Sequence, residues 1–541
     1  MSSDVVVVGS GAAGIAAALT AAAHGLRVLM ITKDLTGGAS PLAQGGLAAA
    51  IGPGDSAAQH ARDTMTAGAG LCDAGPVSAL AAGSPGAIDW LVALGAQLER
   101  RELRLEGGHS HRRIVHSGDD ASGAEVHRAL VSALAASRVE VRDHTIALDL
   151  TADGLLIGAI GPDGLLSPEL VPARAVVLAG GGLGQAFATT SNPVGATGDA
   201  LAIAARAGAV LRDVEFVQFH PTVLWSKGAT GQRPLVTEAM RGAGAVLVDQ
   251  AGRPVMAGRH PRGDLAPRDI VAAGMFEVME RDRCEHLWLD ATGLGRDEIE
   301  DGFPTVTAAC RAEGIDPVTD LIPVAPGAHY ACGGIATDLA GRTSVTGLYA
   351  IGEAASTGFH GANRLASNSL VEAVITGRNA AEAIAVARLG GRAGHWGTGG
   401  HWPAGTGLVT VADEAGGAPA IGRDELAAAM SRYAGVVRDA EGLRALLRLA
   451  AAVPSPGAVR PSPNAPVRPR ATTTASAVGL MDRPVLAHAR APEVEAANLR
   501  TVSVLIAAAA LARTESRGCH RRRDAPQAWA RTRHTLLRWA A

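Results

Sequence analysis

The chain has 541 residues, of which 47% are apolar and 19% charged, and a formal net charge of -3. That length allows two or three domains with well-filled cores, and so balanced a charge excludes the strongly basic surface that nucleic acid or anionic lipid would require. Five cysteines (Cys72, Cys284, Cys310, Cys332 and Cys519) form no C-x-x-C pair, which argues against any metal or iron–sulfur centre and suits a reducing compartment.

The chain runs almost at once into Val5–Val8, a β-branched run expected to be a buried parallel strand. No basic segment with a cleavage site precedes it, so no signal peptide is expected. Gly9-Ser10-Gly11-Ala12-Ala13-Gly14 follows, then an alanine-rich helix to Ala23 and a strand over Leu26–Thr32, together one βαβ unit. Thr36–Gly54 is glycine-rich without periodicity and reads as a loop. Gly123–Ala135 predicts a helix and Val139–Asp149 a strand. Gly154–Val171 predicts a hairpin region turning at Asp153-Gly154 and Asp163-Gly164. Ala175–Ala179 is another buried strand, and Thr197-Gly198-Asp199 leads into a helix.

From Glu215 to Cys332 histidine, arginine and proline become denser, which marks an inserted domain, and the nucleotide fold resumes at Arg342–Glu353. The expected division is therefore a discontinuous nucleotide-binding domain over 1–214 and 333–389, a capping domain over 215–332, and a C-terminal helical domain over 420–541. Irregular linkers are expected near 390–419 and over 454–470, the second carrying six prolines. Asp424–Ala452 and Pro492–Thr514 read as helices. The longest apolar run, Val502–Ala512, is too short to span a bilayer, so a cytoplasmic protein with no membrane segment is expected.

A G-x-G-x-x-G loop between strand and helix sets backbone N–H groups and the helix dipole against a pyrophosphate. The acidic residue that usually ends the second strand and holds a ribose is absent here. Thr32-Lys33 stands in its place, with Asp34 one step on, so the loop alone does not choose between FAD and NAD(P).

Taken with Gln44-Gly45-Gly46, Thr197-Gly198-Asp199 and the Gly352-Glu353 segment, the loop resembles the fumarate reductase/succinate dehydrogenase flavoprotein superfamily, in order, over about residues 4 to 385. Within it the chain is similar to the aspartate-oxidising branch, to which Lys33 at the ribose position also conforms. The resemblance implies an α/β fold: a Rossmann-like FAD-binding domain, an inserted α+β capping domain and C-terminal helices. It implies FAD held by Gly9, Ser10, Gly11, Ala12, Ala13, Gly14, Lys33, Ala39, Ser40, Gln44, Gly45, Gly46, Asp199, Glu353, Ser369 and Leu370.

On the substrate side it implies that Arg364 and His329 hold one carboxylate and that His220 with Thr237 holds the other. Fork-shaped arginine and directional histidine donors are the groups that fix and orient a dicarboxylate. Arg268 would accept a proton, with Glu238 and Arg241 passing it outward, while a hydride goes to the flavin N5. An arginine base needs neighbouring cations to bring its proton within reach, or it acts electrostatically, because its ordinary pKa exceeds about 12.

Two positions separate members of the superfamily. Succinate dehydrogenases carry a histidine, bonded covalently to FAD, where this chain has Ala39, so the flavin is expected to be non-covalent. Glu106 stands where succinate enzymes have an apolar residue, and a carboxylate there can pair with the α-ammonium that aspartate has and succinate lacks. The activity implied is oxidation of L-aspartate to iminoaspartate, the first step of de novo NAD synthesis via quinolinate, with reoxidation by O2 or fumarate. Room is left for a transient contact with quinolinate synthase. A soluble fumarate reductase or succinate dehydrogenase-type flavoprotein is the competing reading. A flavin-binding scaffold without catalysis is a further one.

Overall fold

The computed structural model describes residues 3–118, 120–389, 408–412, 421–451 and 489–540. Its organising element is a five-stranded parallel sheet in the order Leu348–Ala350, Ala173–Leu178, Ser3–Val8, Val28–Ile31, Glu140–Arg142. The β-branched runs fill these strands because both faces are covered. On one face the helix Ala12–Ala23 packs beside Asn368–Leu389. Their approach is close enough that a Cβ on Gly377 would run into the carbonyl oxygen of Ala13. The alanine-rich composition of the first helix serves this contact.

The strand expected over Val139–Asp149 is two strands. Glu140–Arg142 ends the parallel sheet, and Thr145–Thr151 opens an antiparallel meander with Gly154–Ile160 and Leu166–Val171. Between them His144 turns the chain at φ +47, and its N–H donates to Asp143 Oδ1 at 2.8 Å. The turn falls in the polar run Arg142-Asp143-His144-Thr145. The region read as a loop over Thr36–Gly54 holds one short strand, Leu47–Ala48, paired with Ile114–His116.

Two long antiparallel strands, Val217–Leu224 and Ile322–Ala331, run through two hydrophobic cores. Val217, Phe219, Ala328 and Ala331 belong to the core around the parallel sheet, whereas Leu224, Ile322 and Val324 belong to a second core with Met240, Val271 and Leu289. His220 and His329 therefore stand where the two cores meet. The pairing register shifts at Gln218/Phe219 and again between His220 and Val223. Bulges of this kind re-aim side chains next to functional sites.

The C-terminal region is not purely helical. Its helices Arg423–Tyr433, Ala440–Ala451 and Ala491–Ala512 are joined by the strand Leu536–Ala540. That strand pairs with Leu211–Arg212 of the main body and with Leu408–Ala412, in a stretch read as linker. The remainder of that linker and all of 454–470 lie outside the described residues. Short strands of this kind are specified by their distant partners and leave little local pattern.

Ala491–Ala512 spans 22 residues and is, by length and composition, one helix long and apolar enough to cross a bilayer. It is longer than the Val502–Ala512 run, and 61% of its apolar window is buried inside the protein, as in a core helix. Its apolar residues Leu499, Val502, Leu505 and Ile506 are buried in the main core.

The arginines of 517–523 are engaged by partners in the body of the protein. Arg522 is buried and donates to the carbonyls of Ala510 and Arg513, satisfying orphan acceptors at the end of that helix. Arg521 pairs with Asp269 at 3.3 Å and Arg523 pairs with Glu280, both on the capping helix Arg268–Asp282. Nearby, Arg513 is fully buried among Glu215, Glu515 and Asp213, at 2.5, 2.6 and 3.2 Å.

Candidate active site

The glycine loop ends the first strand at the mouth of a long cavity. Gly9 adopts φ +104, and a Cβ there would collide with the Ala179 carbonyl. No other residue fits that turn. The helix Ala12–Ala23 starts at an extended Gly11, with no acid in its first turn and no side-chain cap of its own. Ala12 N donates instead to Ser40 Oγ at 2.9 Å, from the Ala39–Gly46 loop. A helix start without an acid, faced by a glycine turn, suits an anion such as a pyrophosphate.

Further along the cavity, Ser10 Oγ meets Thr32 Oγ1 at 2.8 Å. Lys33 Nζ lies 2.8 Å from Asp199 and 2.6 Å from Glu495. Burial works against the Lys33 ammonium, but Asp199 and Glu495 outweigh it and hold its pKa above the ordinary lysine value. Burial pushes the Glu353 carboxyl up to about 7, although the Ala331 N–H donates to it at 3.0 Å. Gln44 Oε1 is buried without a partner. Ser369 and Leu370 open the helix Asn368–Leu389 directly after Ser367, which sits at φ +58. Ala39 is exposed at the rim and offers no nucleophile for a covalent link.

Where this cavity passes between the two cores, cationic and imidazole groups converge. Arg364 Nη2 lies 2.9 Å from His329 Nε2, and the Arg364 guanidinium stacks over Tyr330 at 4.7 Å. His329 Nδ1 meets Ser191 Oγ at 2.7 Å, which fixes the ring's orientation. The His220 ring is 5.1 Å from that of His329. His220 Nδ1 accepts from Thr222 N, and its Nε2 is buried without a partner. Burial and the surrounding arginines press both imidazoles well below the ordinary histidine pKa, so they are neutral. Burial and Arg268 likewise lower the Arg364 guanidinium to about 10. Arg364, which has no carboxylate partner among the described residues, is poised for an anionic ligand.

Arg268 begins the capping helix and donates from Nε to Glu238 Oε2 at 2.6 Å and from Nη1 to Gln218 Oε1 at 3.3 Å. Burial opposes ionisation of Glu238, but Arg268 and Arg241 hold its pKa below the usual value. Thr237 caps the short helix that carries Glu238. Arg241 lies one turn further along and is buried. It donates to the Asp264 carbonyl, while its Nε and Nη2 have no partner. Glu106 is buried on the other wall, where Oε2 accepts from Ser367 Oγ at 2.7 Å. Burial and the nearby Glu238 raise its pKa, with Arg268 and Arg364 opposing. Among the described residues Glu106 makes no ion pair.

Every residue singled out from sequence lines this one cavity except Gly14 and Arg241. A Cβ on Gly14 would meet the Gly9 carbonyl, so Gly14 serves the packing of helix on strand. The supporting residues Ser191, Gln218, Tyr330, Ser367 and Glu495 escaped sequence reasoning. Gln218, Tyr330 and Ser367 each stand within two residues of a singled-out one, His220, His329 and Ser369 respectively. Gln218 is the most connected of them: it accepts from Arg268, and its Nε2 donates to Asn363 Oδ1 at 2.7 Å and to the Arg364 carbonyl at 2.8 Å.

The family described as FAD binding domain matches residues 4–370, and that described as fumarate reductase flavoprotein C-term matches residues 475–539. The L-aspartate oxidase of Streptomyces coelicolor is 50% identical over 404 residues, which cover 72% of this chain and 70% of the relative. That of Mycobacterium bovis is 42% identical over 536 residues, covering 97% and 92%. Among solved structures, E. coli quinol fumarate reductase superposes with a TM-score of 0.81 at 28% identity, covering 99% of this chain and 94% of that one. The Mycobacterium smegmatis Sdh1 complex superposes with a TM-score of 0.72 at 30% identity, covering 97% and 90%. The glycine turn and the family match together make FAD the cofactor, bound without a covalent link at Ala39.

Proposed function

The chain belongs to the L-aspartate oxidase family of FAD-dependent oxidoreductases, and from that premise we propose that it oxidises L-aspartate to iminoaspartate, the first step of de novo NAD synthesis via quinolinate. The observation that carries the choice of substrate is Glu106. It is a buried carboxylate, raised in pKa, with no ion-pair partner among the described residues, on the wall of a cavity that also holds Arg268, Arg364, His220 and His329. A dicarboxylate satisfies the cations, and an α-ammonium satisfies Glu106.

In this reading Arg364 and His329 grip one carboxylate, and His220 with Thr237 grips the other. Neutral His220, whose Nδ1 accepts from Thr222 N, donates a directed hydrogen bond from Nε2 without adding charge; the Arg364 guanidinium supplies the charge, and His329, whose Nε2 accepts from it at 2.9 Å, orients it. The clamp fixes the Cα–H bond toward the flavin side of the cavity. FAD, when bound, would supply the two-electron acceptor for the hydride, to be reoxidised by O2 (giving peroxide) or by fumarate. Gly9–Gly14, Lys33, the Ala39–Gly46 loop, Asp199, Glu353 and Ser369-Leu370 are the residues that would hold it. Arg268, cationic against Glu238, takes the proton that must leave with the hydride only as it hands its own Nε proton to Glu238 Oε2, 2.6 Å away, from which it passes toward Arg241. Arg241 is not bonded to Glu238 here, so that second transfer needs a shift of either side chain. The imine product is unstable in water, and quinolinate synthase is the proposed recipient through a transient contact.

Glu106→Gln tests the substrate assignment. Losing a charge-assisted bond to the ammonium costs about 1.5–3 kcal/mol, or roughly one to two orders of magnitude in kcat/KM for L-aspartate. Activity with fumarate as substrate, and the affinity for succinate, should change little. Equal losses for all three ligands would remove the ammonium-recognition role.

A further inference from the structure

A second depression adjoins the active-site cavity, between the loop over 104–112 and the capping region. Glu106 lines both the depression and the cavity. Gly107 completes the partition, because a Cβ on it would strike Glu238 Oε1. The wall between outside and inside is therefore one residue thick at this seam. Arg104 and Arg112 stand on one bank and Arg262 on the other, against two acids, Glu298 and the buried Glu106. Arg112 and Arg262 are exposed, and neither makes an ion pair among the described residues. A neighbouring hollow shares Arg104 and Arg112 and adds Arg101 with one acid, Glu102. The chain as a whole carries a net charge of -3, so this concentration of guanidinium groups at one seam runs against the global balance.

We propose that this depression is the port through which dicarboxylates reach the site, and that Arg112 and Arg262 favour doubly charged acids in the encounter. The inference rests on the dicarboxylate reading above. Clefts lined by one sign of charge focus their field and raise association rates for the opposite sign, an effect that falls steeply with ionic strength. Succinate and fumarate carry two negative charges at neutral pH, L-aspartate carries a net one and O2 none. The port therefore speeds a dianion more than aspartate and leaves O2 unaffected. It biases access toward fumarate as the electron acceptor without touching the chemical step.

The test is stopped-flow association of succinate, read from the perturbed flavin spectrum of the FAD-bound enzyme. It is run from low to high salt in the wild type and in the R112Q/R262Q double variant. Anaerobic bleaching by L-aspartate is followed in parallel. Both positions are exposed, so the fold is not at stake. At low salt the variant should associate with succinate about 10-fold more slowly, a figure at the lower end of electrostatic steering. Its kcat/KM for aspartate should fall by a smaller factor. The two proteins should converge at high salt, with equal bleaching rates at saturating aspartate. Identical salt dependence in both proteins overturns the port. Absence of bleaching in the wild type overturns the substrate reading instead, and the succinate data still decide the port.

Discussion

Replacing Arg268 by leucine is expected to lower the rate of flavin reduction by L-aspartate by about 100- to 10,000-fold, the range ascribed to a positioned proton-transfer group, while FAD stays bound. The side chain lies at the clamp end of the cavity and not at the glycine turn, so cofactor retention should survive the change. Its loss removes two things at once. The proton acceptor disappears, and Glu238 loses the partner that holds it ionised at 2.6 Å. Glu106 would then face a second carboxylate with less compensation, since Arg268 is the first of the groups that oppose its raised pKa. Arg268→Lys keeps the charge but not the fork that reaches Glu238 and Gln218 together. It should fall between wild type and leucine. Single-turnover reduction followed by absorbance measures both variants, and a leucine variant within 10-fold of wild type would remove Arg268 from the chemistry.

The second large effect concerns stability. Arg513→Met should destabilise the fold by about 3–5 kcal/mol, the usual cost of breaking a buried ion pair by removing one partner. Arg513 is fully buried and bonds Glu215, Glu515, Asp213 and Thr535, with Phe216 under its guanidinium at 4.8 Å. Methionine fills much of the volume, so what is lost is mainly the charge, and three carboxylates are left without their common partner. The same cluster carries a pH signature. His534 meets Asp213 at 2.5 Å and Asp73 at 3.3 Å. Burial opposes its charge, but the two acids raise its pKa from 6.5 to about 9. A folded-state pKa above the unfolded one means the imidazolium contribution is complete below about pH 6.5 and is lost as pH rises through about 9. Thermal melts of the FAD-saturated protein across that range, wild type against Arg513→Met, read both effects. An unchanged Tm would mean the cluster is not coupled to global folding.

What was legible in the sequence was the part whose chemistry constrains neighbouring residues. A pyrophosphate demands glycines at fixed spacing after a strand, and Gly9–Gly14 shows them in order. The clamp residues were named by the resemblance, since they come together only where Val217–Leu224 and Ile322–Ala331 cross from one core to the other. The supporting residues were illegible for the opposite reason. Gln218 acquires its meaning from Arg268 and Asn363, and Lys33 acquires an acidic partner 462 residues away at Glu495. Neither relation leaves a local trace. The arginines of the C-terminus follow the same rule. Charge density suggests solvent, but Arg522 is spent on helix carbonyls and Arg521 on Asp269, next to Arg268. The C-terminal region is thus tied to the helix that presents the proposed proton acceptor.

The central claim is that the cavity recognises an amino dicarboxylate and passes its hydride to non-covalent FAD. Anaerobic titration of the purified protein with L-aspartate and with succinate, followed by acid precipitation, tests it most directly. The account predicts that L-aspartate bleaches the flavin's visible absorbance, that succinate binds without bleaching, and that all flavin is released into the acid supernatant. Bleaching by succinate, or a flavin that remains with the precipitate, would contradict it.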